Sequence, residues 1–270
     1  MLNHVLVADP AARPRSWLLM LHGIFGAGRN WATVARRLAA ARPDWGIVLV
    51  DLRMHGASQG LAPPHTLESC AADLVGLREV LDAPVGAVLG HSFGGKVALT
   101  YLERRPPELR GMWIVDADPS ASAPQGAAWD MLRAVDALPR RFGSRDELVA
   151  ALGRFGFDRR VAEWMAANLD RAGGGYRWRL DFAALEELLR DFFRSDLWNV
   201  VEHAPAGVDL HFVAATRSSV IGESSAARLE AIRRTGGRVV LHRVDGGHWL
   251  NADNPDALVA LLAGSRPSDP

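Results

Sequence analysis

One cysteine, Cys70, stands in 270 residues. That excludes an internal disulfide framework and fits a reducing compartment. Cys70 lies among Leu67, Leu74, Leu77 and Leu81, the spacing of one helical face, and reads as a packed thiol rather than a nucleophile. Net charge is missing too. The 31 basic and 31 acidic residues cancel, which removes the electrostatic case for a nucleic-acid or anionic-membrane partner. Apolar runs such as residues 47–50 and 213–215 fall far short of the ~20 residues that span a bilayer. The N-terminus has no charged region followed by an apolar stretch, and Asp9 and Pro10 interrupt it early, so it does not read as a secretory signal. These absences point to a cytoplasmic chain with no stable membrane association. Its 49% hydrophobic and 23% charged residues suit a globular protein with a large core.

No repeat or low-complexity segment occurs, and only residues 265–270 read as a disordered tail. Short apolar runs at residues 17–21, 46–51, 85–89 and 111–116 read as buried strands. Residues 31–41, 67–81 and 95–104 between them read as helices. The alternation resumes with strands at 210–215 and 239–244 and helices at 224–234 and 255–262. Such alternation predicts an α/β fold with a mostly parallel sheet covered on both faces. From about 125 to 201 the rhythm breaks, and only helices are expected, at 129–138, 145–152, 161–169 and 182–192. We therefore expect a core of residues 1–120 and 205–264. A helical cap, residues 121–204, is inserted before the penultimate strand.

Gly90-His91-Ser92-Phe93-Gly94 has the G-x-S-x-G pattern, preceded by a strand and followed by a helix. In that setting the serine sits on a sharp, strained turn, with its hydroxyl raised above the sheet at the positive end of a helix. A serine hydroxyl needs a base. His248, in Asp245-Gly246-Gly247-His248-Trp249, follows the last strand and is the candidate among nine histidines. His91 is assigned a packing role. The Phe93 amide and one from His22-Gly23-Ile24-Phe25-Gly26 are the candidate oxyanion donors, Ile24 being favoured and Phe25 the neighbouring possibility. His22 is expected to brace that loop. For the acid, the loop after residue 215 holds no aspartate and only a late Glu223, whereas the strand before the insertion ends at Asp116 and is followed by Asp118. Asp116 is favoured, with Asp118 and Glu223 as alternatives. No metal site is read: Asp51, Arg53, His55 and Gly56 are too mixed and too close, and are taken as a structural loop. Gly173 to Gly175 read as a turn inside the insertion.

With these motifs in place the chain resembles a known family. Leu21-His22-Gly23-Ile24-Phe25-Gly26, Arg29-Asn30-Trp31 and Asp51-Leu52-Arg53-Met54-His55-Gly56-Ala57-Ser58 look like segments of the small bacterial acyl esterases and their mitochondrial alpha/beta-hydrolase-domain relatives. Gly90 to Lys96, Tyr176-Arg177-Trp178-Arg179 and Gly247-His248-Trp249 extend the likeness, although methionine is commoner than Phe93. The resemblance implies an alpha/beta-hydrolase fold and cofactor-free hydrolysis of carboxylic esters and acyl thioesters. It also implies an acid at the end of the pre-cap strand. The expected partner is a small acyl ester or thioester, with Phe25, Trp178 and Trp249 as candidates for its pocket. A lyase or carbon–carbon bond hydrolase on the same residues, or a binding protein with negligible turnover, are the alternatives.

Overall fold

In the computed structural model, which describes residues 1–265, seven strands form one sheet in the order His4–Val7, Trp45–Val50, Ser16–Leu21, Val85–His91, Gly111–Val115, Asp209–Ala215 and Val239–Val244. Chain order runs β1 (His4–Val7), β2 (Ser16–Leu21), α1 (Ala32–Ala41), β3 (Trp45–Val50), α2 (Leu67–Arg78), β4 (Val85–His91), α3 (Phe93–Glu103) and β5 (Gly111–Val115). The insertion follows with α4 (Gly126–Asp136), β6 (Arg141–Phe142), α5 (Arg145–Arg154), α6 (Arg159–Ala166), β7 (Leu169–Ala172), β8 (Gly175–Trp178), α7 (Phe182–Arg194) and α8 (Trp198–Glu202). The sheet then resumes with β9 (Asp209–Ala215), α9 (Glu223–Arg234) and β10 (Val239–Val244), and the chain closes with α10 (Leu250–Asp253) and α11 (Pro255–Gly264). The expected tail, apart from Ser265, lies outside the described residues.

Only β1 runs antiparallel to its neighbour; every other pairing in the large sheet is parallel. Along β2 the side chains alternate between two buried layers. Trp17, Leu19 and Leu21 join the layer that includes α2, α3 and α9, while Leu18 and Met20 join the layer of α1 and α11. The strand is apolar from Trp17 to Leu21 and is thereby buried on both faces. The sheet's carboxyl ends fall in register, Leu21 opposite Gly90, His91 opposite Val115, and Ala215 opposite Val244. Whatever follows β2, β4, β5, β9 and β10 meets at one edge.

The insertion differs from expectation. Beside its helices it carries a three-stranded antiparallel sheet, β6-β8-β7, where no strand was expected. Gly173 (φ 58°) and Gly174 (φ 78°) make the two-residue hairpin between β7 and β8, a left-handed pair that glycine adopts without strain. These strands are short and carry charged residues, so no apolar run announces them. The chain's one lysine, Lys96 of α3, seats the insertion on the core. Its buried ammonium donates to the carbonyls of Ser120 (2.7 Å), Phe192 (2.8 Å) and Ser195 (2.7 Å). Asp191 of α7 accepts from the Leu67 amide at 2.6 Å, satisfying an orphan donor at the start of α2.

Candidate active site

Ser92 follows β4 with φ 52° and ψ −116°, a conformation a non-glycine residue holds only under external restraint. The restraint is visible in the backbone. Its amide donates to Val115 at 2.9 Å, and its carbonyl accepts from Gly95 at 2.8 Å. The glycines beside it are there for room. A Cβ on Gly90 would stand 2.1 Å from the Gly94 carbonyl oxygen, and one on Gly94 would stand 2.6 Å from that of His22. The hydroxyl makes no capping bond to α3, so it is left for other chemistry.

Asp116 follows β5 and is almost fully buried, also at positive φ (46°). Its Oδ2 accepts from His248 Nδ1 and from Ser218 Oγ, both at 2.6 Å, and its Oδ1 accepts from the Ala215 amide at 3.2 Å. Burial pushes its carboxyl up, but the bonds from His248 and Ser218 outweigh burial and hold it below the usual carboxylate range. An ionised carboxylate only accepts, so the His248 proton sits on Nδ1 and leaves Nε2 with a free lone pair. Asp118 instead closes its own turn, accepting from the Ser120 amide at 2.8 Å, and Glu223 is exposed at the start of α9. Of the three carboxylates considered, the structure brings Asp116 to His248. Ser218 was not anticipated. It comes from the loop after β9, which supplies a donor to the carboxylate rather than the acid.

His91 does more than pack. Its Nε2–H donates to the His248 carbonyl at 2.7 Å, with the two rings 4.7 Å apart. Burial lowers its pKa to about 3, helped by the neighbouring His248, so the ring stays neutral and keeps that one tautomer. His22 braces the first loop as expected. Its Nδ1–H donates to the Gly23 carbonyl at 2.7 Å while Nε2 accepts from the Leu52 amide at 3.0 Å, and burial lowers it to about 4. Asp51 ties that loop to the next, accepting from the Gly28 and Ala57 amides at 2.7 and 2.9 Å. His55 lies in the same layer, its ring 4.9 Å from His22 and 5.9 Å from Phe93. Cys70 is fully buried, and burial raises its thiol pKa, which keeps it inert.

Gly23 lies against the elbow: a Cβ there would stand 3.5 Å from Ser92 Cβ. The turn from Gly23 to Gly26 closes through the Gly26 amide, which donates to the Gly23 carbonyl at 3.0 Å. Among the described residues the Ile24 and Phe25 amides have no acceptor. The Phe93 amide opens α3 and has no intrahelical partner. Phe25 is buried at the turn with φ 61°. Trp249 follows His248 and meets Trp164 of α6 at 5.6 Å between rings, a partner not anticipated from sequence. The ring neighbours of Trp178 are Phe142 and Phe182, at 5.8 and 5.0 Å, inside the insertion. Among the described residues no group of three or more His, Cys, Asp or Glu could hold a metal, and no helix is long and apolar enough to cross a membrane.

The chain is 24% identical over 260 residues to the sn-1-specific diacylglycerol lipase ABHD11 of Danio rerio, covering 93% of this chain and 78% of that protein. It is 28% identical to lipase LipV of Mycobacterium tuberculosis, covering 96% and 95% of the two chains. Among solved structures a marine microorganism esterase superposes with a TM-score of 0.82 at 22% identity, covering 97% of each chain, a likeness of fold. The sequence model that describes the alpha/beta hydrolase fold matches residues 16–255, and the chain belongs to that family.

Proposed function

We propose that this chain is a cofactor-free serine hydrolase that cleaves carboxylic esters or acyl thioesters through an acyl-enzyme. The observation that carries the reading is the 2.6 Å bond from His248 to Asp116 at the sheet edge where Ser92 is held in a strained turn. In the first half-reaction His248 Nε2 takes the Ser92 proton as Oγ bonds to the acyl carbon. The carbonyl oxygen becomes an oxyanion facing the Phe93 amide and that of Ile24, with Phe25 as the neighbouring donor. The absence of other acceptors at these amides supports that role. Collapse re-forms the carbonyl and breaks the C–O or C–S bond, and the leaving alkoxide or thiolate takes the proton from the imidazolium. Water repeats the sequence on the acyl-enzyme, releasing acid and free Ser92. Asp116 stays ionised and holds the imidazole in its working tautomer.

The lipase names of the relatives favour an apolar acyl group. We assign Phe25 and Trp249 to its pocket, with Trp164 beside Trp249; Trp178 supports the wall from within the insertion through Phe142 and Phe182. Residues 121–204 act as a cap over a core of residues 1–120 and 205–264. The lone, buried Cys70 supports a cytoplasmic setting. A fluorophosphonate probe is expected to label the wild type and not Ser92→Ala; equal labelling of both overturns the nucleophile. p-Nitrophenyl esters of graded chain length, run beside acyl-coenzyme A thioesters, report substrate class. Labelling without turnover of either series would favour a lyase or a binding protein.

A further inference from the structure

Resting on that reading, we infer that Asn168, carried by the insertion, is a positioning residue for the oxyanion turn. Asn168 lies between α6 and β7 and is 3% exposed, and among the described residues its side chain bonds outside the insertion. Its Nδ2 donates across 143 residues of sequence to the Phe25 carbonyl at 3.0 Å. The turn it grips is poorly suited to stand alone. Gly26 N–H to Gly23 C=O is the closing bond of a β-turn, with Ile24 and Phe25 as its central residues. Positive φ at Phe25 alone makes it type II, which ordinarily calls for glycine at that position. A phenylalanine there is strained, and the competing type I form relieves the strain by rotating the Ile24–Phe25 peptide through about half a turn. That rotation moves the Phe25 N–H to the opposite side of the turn and puts a carbonyl in its place.

Asn168 holds the peptide that follows, at the Phe25 carbonyl, and so fixes where this strained turn, with its Ile24 and Phe25 amides, stands against Ser92. The same junction of the insertion is held from below, because Arg29 donates to the Ala167 carbonyl at 3.0 Å. The other end of α6 reaches the histidine loop. Arg160 pairs with Asp253 at 2.9 Å, and Asp253 accepts from the Gly247 amide at 2.9 Å. One helix thus bridges the two loops that must face Ser92 together. The Asn168 backbone is fixed independently, its carbonyl accepting from the Arg179 amide at 3.0 Å. Its side-chain amide is therefore free to act on the turn rather than to hold the insertion together.

The test compares wild type with Asn168→Ala and the isosteric Asn168→Asp, which fills the same space without an N–H to donate. Steady-state hydrolysis of p-nitrophenyl butyrate, affinity for an alkyl boronic acid that forms a tetrahedral adduct on serine, and thermal midpoint are measured on each. Both variants are expected to lose kcat about tenfold or more, short of the 10²–10³ typical of deleting an oxyanion donor itself. Boronic-acid affinity should weaken by a similar factor, with KM within twofold and fluorophosphonate labelling still reaching completion. Unchanged kcat and boronic-acid affinity overturn the inference, as does a rise in KM alone. Failure of both variants to fold overturns it as well, since Asn168 is then a structural residue. A wild type that neither labels nor turns over ester defeats the hydrolase reading itself. An active wild type matched by its variants defeats this inference alone.

Discussion

Ser92, Asp116 and Phe25 share an unusual property: all three are non-glycine residues at positive φ, and all three stand at the same sheet edge. Strain of this kind persists where surrounding bonds over-determine it, and each residue has such bonds. For Asp116 they also set its chemistry. Replacing Asp116 with Asn keeps its shape but presents a neutral amide to His248, which frees the imidazole to adopt the wrong tautomer. We expect Asp116→Asn to lower kcat by about 10³–10⁴ with little change in KM. Asp118→Asn and Glu223→Gln should stay within twofold, because neither carboxylate reaches His248. A near-normal Asp116→Asn enzyme would remove it as the acid. Ser218→Ala tests the supporting bond: without that donor the carboxyl pKa moves up, and kcat is expected to fall about fivefold, consistent with loss of one charge-assisted hydrogen bond of modest net worth.

At the scale of elements, the start of α3 packs directly on the end of β2, and glycine is what allows it. A Cβ on Gly94 would meet the His22 and Leu21 carbonyl oxygens at 2.6 and 2.8 Å, so Gly94→Ala must push helix and strand apart. We expect a loss of about 2–3 kcal/mol in urea unfolding, the usual scale of overpacking. Gly76, exposed inside α2 with nothing near its missing Cβ, gives the opposite sign. Gly76→Ala should gain about 0.5–1 kcal/mol from helix propensity. If Gly94→Ala proves neutral, the packing account of the elbow is wrong. The strands of the parallel sheet were readable because both faces are buried, which writes each as a continuous apolar run. Strand β1 escaped because Val5 and Leu6 are exposed on an edge, where burial leaves no pattern. Strands β6, β7 and β8 escaped for a related reason: two to four residues with several arginines carry no periodicity. The elbow carries a motif, and Asp116 and His248, though 132 positions apart, each follow a strand that ends at the same sheet edge. Asn168 and Ser218 belong to no motif, so their bonds to Phe25 and Asp116 leave no mark in the sequence.

Across the whole molecule, buried histidines give stability a sign with pH. Burial lowers His22 and His211 to about 4 and His55 and His91 each to about 3, and it lowers His242 as well, while an unfolded chain binds these protons near 6.5. Between those values the unfolded state holds more protons than the folded one. Stability is therefore fully present above pH ~6.5 and is lost as pH falls toward the folded-state values. From pH 7.5 to 5.5 each such ring contributes a loss on the order of 1 kcal/mol, and the losses add. Asp116, held low, adds its own loss only below the ordinary carboxylate range and does not enter this window. Urea unfolding at half-unit steps of pH should give a slope of several protons near pH 5.5, and His55→Gln should lower it by about one. Stability that is flat across that range would mean the rings are protonated in the folded chain. His22 could not then accept the Leu52 amide, and the bracing described for the oxyanion loop would fail with it.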